Sequence, residues 1–320
     1  MPIPDLSVII VSYNTRDQLR DCLLSLRRAA GEARFEVIVV DNASKDGSAE
    51  MVRADFPEVQ RCASSQNEGF AAAMNRGIPL SQAEYFLALN PDTFMTRATI
   101  PKLLNFMKEH PKAGIAGARL TFPDGTDQPS TFCFPSLFKE FWNALPELKS
   151  VLKLRKISEI LSWNRTKGDG RTEIQVECVS GAALIARKSV VESVGGFDSN
   201  FFLYHEERDL CERIRQAGWE IWFVPGTQVI HFDAQASGYR QSRLPEWPVL
   251  EWRTLGMSRL WEKHKSQSAH RLWSLQTRFL FSLRAVLLSL TQVFRGAKGR
   301  ERGRRRIEEL RRVIGLLKSE

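Results

Sequence analysis

The sequence predicts an α/β domain, a mainly parallel sheet covered by helices, over residues 1–245, with a helical extension over 246–320. Three observations predict it: short apolar runs alternate with segments whose leucines recur at helical spacing; several of those runs end in acidic or amide residues; and from Trp247 onward the pattern is helical only.

Leu6 to Val11 is a continuous aliphatic run without alternation, as in a strand buried on both faces. A helix follows, because Leu19, Leu23 and Leu26 share one face between Arg16 and Arg28. Phe35 to Val40 gives a second strand closed by Asp41, so the chain opens as β-α-β. The pattern continues with a helix near Ser48 to Ala54, a strand at Val59 to Ala63, a helix at Ala71 to Gly77 and a strand at Tyr85 to Leu89. From Thr126 to Ile174, Pro129, Pro135, Pro146 and a basic, Leu-containing run break the alternation, and this stretch reads as an insertion. Regularity returns with Val176 to Ala186, a turn at Gly195 and Gly196, a helix through Leu210 to Ile214, and strands at Glu220 to Val224 and Gln228 to Phe232.

A chain of 320 residues, 43% hydrophobic, can bury a large core, which excludes disorder as its main state. The net charge of +9 sits in the extension: residues 246–320 hold 17 Lys and Arg against 7 Asp and Glu, leaving 29 against 30 for the rest. A near-neutral body with a basic appendix points to an enzyme with a docking segment, and no nucleic-acid partner is expected. Five scattered cysteines support neither a disulfide framework nor structural zinc. The first five residues lack a charged region or cleavage site, so a signal peptide is not expected and the cytoplasm is. Phe279, Leu283, Val286, Leu287, Leu290, Val293 and Phe294 share one helical face, with Lys298, Arg300, Arg302, Arg304, Arg305 and Arg306 behind them. That run contains Arg284 and is too short to span a bilayer, so peripheral membrane contact through 267–312 is expected; the plainer alternative is a helix packed on the domain.

Three polar clusters stand where predicted strands end or helices begin: Asp41 with Asn42 and Ser44, Asn90 with Asp92, and Tyr204 to Asp209. In such a sheet the loops at the strands' carboxyl ends build the binding crevice. Each has a plain alternative: Asp41 as a turn former, Phe70 as core, His231 as a hydrogen-bonded core histidine, and Glu206 to Asp209 as an acidic first helical turn.

Together with Val8 to Asn14, Val40 to Ser44, Asn67 to Phe70, Asn75 to Gly77, Leu89 to Asp92, Ser180 to Ala182, Gly195 to Asp198, Phe202 to Glu207, Asp209 to Cys211 and His231, these clusters occur in a telling order and spacing. Over residues 5–240 the chain resembles the family 2 inverting glycosyltransferases of GT-A fold, a Rossmann-like mixed, mainly parallel sheet, and within them the rhamnosyltransferase-type members. The resemblance implies that Ser12, Tyr13, Asn14 and Asp41 hold the base and ribose of a nucleotide-diphosphate sugar. A carboxylate suits the ring N–H of uracil or thymine. Asn67, Gly69 and Phe70 are implied to floor the nucleotide, Gly69 by allowing close backbone approach.

Asn90 and Asp92 stand in place of the family's Asp-x-Asp, so Asp92 is implied to hold Mg²⁺ or Mn²⁺ against the diphosphate, with His231 as a second contact and Ser237 nearby. Glu207 takes the place of the general base, Glu206 is the second choice and Asp209 the third. Ser180, Gly181, Ala182, Phe197 and Asp198 are implied to border the acceptor. Asp124 to Ser130 with Phe134 and Pro135 resembles the rhamnosyltransferase segment, except that Phe132 and Cys133 replace its arginines. The expected reaction is inverting transfer of rhamnose from dTDP-rhamnose to a lipid-linked or cell-envelope glycan at the inner face of the plasma membrane. A UDP-hexose is the alternative donor. A nucleotidyltransferase is a further alternative, but Ser12 to Thr15 lacks the Gly-rich phosphate loop it would need.

Overall fold

A computed structural model of the chain describes residues 3–29, 33–144, 172–232, 249–291 and 297–319. The chain divides into two compact units, 1–133 with 166–247, and 134–165 with 248–320. Part of the expected insertion, 134–165, thus groups with the extension.

The first unit opens with β1 (Leu6–Ser12), α1 (Arg16–Ala29), β2 (Phe35–Asp41), α2 (Ser48–Asp55), β3 (Gln60–Ala63), α3 (Phe70–Gly77) and β4 (Tyr85–Leu89). It continues with β5 (Thr93–Met95), α4 (Thr99–Glu109), β6 (Ala113–Thr121) and β7 (Thr131–Phe132). After α5 (Leu137–Ala144), which belongs to the second unit, come β8 (Ile174–Gln175), β9 (Cys178–Val179), β10 (Ala183–Arg187), α6 (Lys188–Ser193), α7 (Glu206–Gln216) and β11 (Glu220–His231).

The main sheet has nine strands in the order β3-β2-β1-β4-β10-β6-β11-β5, with β8 on β11. β1, β2, β3 and β4 run parallel, as do β6 and β11, while β10 lies antiparallel between β4 and β6. All seven residues of β1 are buried and alternate between two cores. Leu6, Val8 and Ile10 pack with α1 and α4, and Ile9 and Val11 with α3 and α7.

Two expected elements differ. Val176 to Ala186, where regularity was expected to return, holds two strands, β9 and the start of β10, and the Ser180 N–H between them donates to Ser130 O. The two strands expected at Glu220–Val224 and Gln228–Phe232 are one, β11, with a register shift between Val224 and Val229 where Pro225 and Gly226 fall. α4, β5 and β6 add to the expected pattern. β6 is built of small residues because neighbours press on it: a Cβ at Gly117 would lie 2.5 Å from Val179 Cβ.

The second unit contains α5, α8 (Val249–His264), α9 (Gln267–Thr291) and α10 (Ala297–Ser319). Phe281, Ala285 and Leu288 of α9 are buried with Ile307, Leu310 and Val313 of α10. Trp261 and Trp273 stack at 6.2 Å, and Arg312 reaches Glu251 at 3.0 Å. Val293 and Phe294 of the expected apolar face lie outside the described residues.

Gly117→Ala is expected to destabilise the protein by about 1–3 kcal/mol, since the Val179 side chain cannot swing clear. Thermal unfolding should begin several degrees lower; an unchanged midpoint would show that β6 and β9 part without penalty.

Candidate active site

The order β3-β2-β1-β4 reverses direction at β1, which opens a crevice at the carboxyl ends of β1 and β4. Ser12 stands opposite Asp41, and Asp41 opposite Ala63, so three loops leave the sheet at one level.

Polar side chains stitch those loops together. Asn14, in left-handed backbone (φ 52), accepts the Lys45 N–H and donates its own N–H to Ser44 Oγ. Ser12 Oγ is buried against Thr15 Oγ1 at 2.9 Å, so what Ser12 offers a ligand is backbone. Tyr13 is half-buried between them. Asn42 Nδ2 donates to Asn67 Oδ1 at 2.8 Å and to Gly69 O at 3.2 Å, while Asn67 Oδ1 also accepts the Gly69 N–H.

Gly69 (φ +83) corrects one expectation: the close approach it permits is to the protein. A Cβ there would strike the Phe202 carbonyl, the same group that accepts the Phe70 N–H at 2.8 Å. Phe70 is half-buried, with its ring edge-on to Phe197 at 6.1 Å.

Asp41 is 8% exposed; its Oδ2 accepts the Ser44 N–H at 3.1 Å. Its Oδ1 is closed off from solvent and has no hydrogen-bond partner among the described residues, and Ser64 Oγ, just past β3, is in the same state. A buried acceptor without a donor costs about 1–3 kcal/mol.

On the other side of the crevice, β5 pairs antiparallel with the end of β11, His231 opposite Thr93, and Phe232 N–H donates to Asp92 O. This brings His231 Nε2 to 3.3 Å from Asp92 Oδ1, although 139 residues separate them in sequence. Gln128 fixes the ring: its Nε2 donates to His231 O at 2.5 Å, which turns its Oε1 toward His231 Nδ1 at 2.9 Å. Nδ1 therefore carries a proton, and in a neutral ring Nε2 presents its lone pair to a carboxylate oxygen. Two electron-pair donors so placed repel unless a positive charge lies between them. Ligand bonds of ~2.1 Å meeting at 90–110° put ligand atoms ~3.0–3.5 Å apart, so the pair fits a shared divalent cation. Among the described residues no group of three or more His, Cys, Asp or Glu side chains is placed for a metal. Ser237 lies outside the described residues.

Half-buried Asn90 joins the end of β4 to the residues before β10, its N–H donating to Ala182 O at 2.9 Å. Next to Ala182, a Cβ at Gly181 would lie 3.5 Å from Glu207 Cβ. Glu207 follows two non-glycine residues in left-handed backbone, Tyr204 (φ 71) and His205 (φ 72), strain of a kind that gathers at functional turns. Its Oε1 is 4.0 Å from Arg208 Nε, and Arg208 lies over the Phe132 ring. Glu206 is buried, and burial first, then the neighbouring Glu207, push its carboxyl well above the usual range. Asp209 is sealed in the core against Arg213 at 2.7 Å, which removes it from the candidate bases. Asp198 organises a turn, accepting from Asn200, and Phe197 beside it is pinned by Asn75.

The sequence model of "Glycosyl transferase family 2" matches residues 7–194. The chain belongs to glycosyl transferase family 2. This membership sets aside the nucleotidyltransferase alternative. The N-acetylglucosaminyl-diphospho-decaprenol L-rhamnosyltransferase of Mycobacterium tuberculosis (strain H37Rv) is 29% identical over 255 residues, 73% of this chain and 78% of that protein. The rhamnosyltransferase WbbL of Escherichia coli (strain K12) is 27% identical over 238 residues, 70% and 82% of the two chains. The GT-A fold is shared with solved structures. The mannosyltransferase PcManGT from Pyrobaculum calidifontis, in complex with GDP-Man and Mn²⁺, aligns over 98% of this chain and 85% of its own at TM-score 0.56 and 15% identity. GalNAc-T7 with UDP, GalNAc and Mn²⁺ aligns over 82% of this chain, which spans 48% of it, at TM-score 0.55 and 14% identity.

In this family 2 chain, Ser64 and Gln128 stand beside candidate residues and were not singled out from the sequence. Ser64 follows a strand end one place along from Asp41, and Gln128 lies inside the segment singled out by resemblance.

A carboxyl whose pKa is higher folded than unfolded contributes stability that is complete below the unfolded value and is lost as pH rises through the folded one. Gln at position 206 stays neutral at every pH. Glu206→Gln should therefore match wild type near pH 4 and unfold at progressively higher temperature than wild type as pH climbs above the ordinary 4.5. A melting-temperature difference that stays flat with pH would mean that Glu206 is ionised in the fold.

Proposed function

We propose that this family 2 glycosyltransferase catalyses inverting transfer of rhamnose from dTDP-rhamnose to a lipid-linked or cell-envelope glycan at the inner face of the plasma membrane. The observation that carries the reading is the Asp92–His231 pair, turned toward one another at 3.3 Å beside the crevice. Two rhamnosyltransferases among the relatives, one named for a diphospho-decaprenol acceptor, support the sugar and the acceptor class.

The orphan Oδ1 of Asp41 accepts the ring N–H of the base, with the Ser64 hydroxyl beside it. That contact suits thymine and uracil alike, so a UDP-hexose is the alternative donor. Backbone at Ser12, Tyr13 and Asn14 and the loop at Asn67, Gly69 and Phe70 shape the nucleotide cleft. Asp92 and His231 hold Mg²⁺ or Mn²⁺, which when bound offsets the charge gathering on the departing diphosphate. Mn²⁺ in both solved structures supports a divalent ion.

Glu207 is the base: it faces the small residue Gly181, which leaves room for an acceptor hydroxyl, and takes that hydroxyl's proton as the oxygen attacks the anomeric carbon. Gly181, Ala182 and Asp198 border the acceptor. Glu206, second choice as base, is buried, and that burial pushes its carboxyl well above the usual range.

Glu207→Gln should lower transfer by about 10²–10⁴-fold while the dTDP-induced thermal shift with Mn²⁺ persists. Turnover near wild type would remove Glu207 from this role. Asp41→Ala should weaken nucleotide binding by about tenfold in calorimetry, the loss of one buried acceptor; undiminished affinity would place the base elsewhere.

A further inference from the structure

The second unit carries an apolar surface that the transfer chemistry does not use. Helix α9 has two apolar faces, and α10 covers only the one that holds Phe281, Ala285 and Leu288. On the other, Leu275, Phe279, Leu283, Val286, Leu287 and Leu290 are exposed, Phe279 by 65% and Leu290 by 64%. They are three or four residues apart, with Val286 and Leu287 adjacent, and so form one stripe roughly 22 Å long. Single exposed leucines need no explanation; a continuous stripe marks a contact.

Charge decides what makes that contact. α9 has no acidic residue and carries Arg271, Arg278 and Arg284, and α10 holds nine Lys or Arg against three Glu. A second copy laid on the stripe would bring these like charges together. A nucleic acid would satisfy the charge but leave the stripe in water. An acidic bilayer satisfies both, with apolar side chains at the acyl boundary and basic ones among the headgroups. No helix among the described residues is long and apolar enough to cross a membrane, which leaves a helix lying along the surface. We propose that α9 is an in-plane anchor, its 275–290 stripe inserted into the headgroup region of an anionic membrane.

The inference deepens the reading of a lipid-linked acceptor, and it is testable apart from it, because vesicle binding requires neither donor nor acceptor. The full chain would be sedimented with phosphatidylcholine vesicles with and without phosphatidylglycerol, alongside a Phe279→Glu, Val286→Glu, Leu290→Glu variant. Wild type should bind the phosphatidylglycerol vesicles and be released by salt. The variant should partition at least about tenfold less with an unchanged melting temperature. If the triple variant fails to fold, Phe279→Glu and Leu290→Glu alone decide it, each expected to reduce partition. Equal binding by the variants, no binding by wild type, or a wild-type dimer that the variants split would each overturn the proposal. Loss of lipid binding with transfer to a soluble acceptor intact would uphold the anchor; loss of transfer with lipid binding intact would count against the proposed function alone.

Discussion

The site depends on one pairing in the sheet. β10 runs antiparallel between β4 and β6, so it starts where β4 ends, with Ala183 opposite Leu89. The residues before it, Gly181 and Ala182, are thereby set beside Asn90, and the Asn90 N–H bond to Ala182 O closes the joint. Were β10 parallel, the chain would enter from the far end and the loop facing Glu207 would be a strand's length away. In a wholly parallel sheet the crevice would lack this wall. The antiparallel pair β5 and β11 does the same work on the other flank for Asp92 and His231.

Around this frame the fold tolerates arrangements that do not favour its own stability. Asp41 Oδ1 and Ser64 Oγ are buried without partners among the described residues, and Glu206 is buried beside a second carboxyl. Each is worth on the order of 1–3 kcal/mol against a total that for domains is only about 5–15. Asp41 and Ser64 share one strand-end level, and Glu206 opens the helix that follows the strained turn at Tyr204 and His205. Asp209, by contrast, is buried in an ion pair with Arg213. The unpartnered atoms of Asp41 and Ser64 are of the kind that a ligand's polar groups would satisfy.

The legible parts of the sequence were those where burial imposes a period. β1, β2 and β4 are dense aliphatic runs because both faces are covered, and α1 shows its leucines because one face is. β6 escaped because its Gly and Ala residues are dictated by tertiary contact with Val179, Ile214 and Trp219, and such a strand has no hydrophobic signature. β11 was read as two strands because Pro225 and Gly226 are breakers locally, yet the strand resumes pairing beyond them. Asp41, Asp92, Glu207 and His231 were singled out as candidates through motif order. Gln128 and Ser64 were not, since a carboxamide orienting an imidazole and a hydroxyl beside a carboxylate follow from sheet pairing across long sequence separations.

Two adjacent glutamates at a helix start pose a question that their sequence leaves open, and burial supports the proposed choice of Glu207. A proton acceptor must be ionised, reachable and near the group that attacks; a carboxyl withdrawn from solvent next to another acid is none of these. Glu206 is in that position, whereas Glu207 is half-buried, lies near the guanidinium of Arg208 and faces a residue without a side chain. Glu206 is buried at the helix start that follows the left-handed turn at Tyr204 and His205, and burial pushes its carboxyl well above the usual range. In the proposed function the two acids thus differ by environment rather than by residue type, with a glutamate where the family's signature has an aspartate.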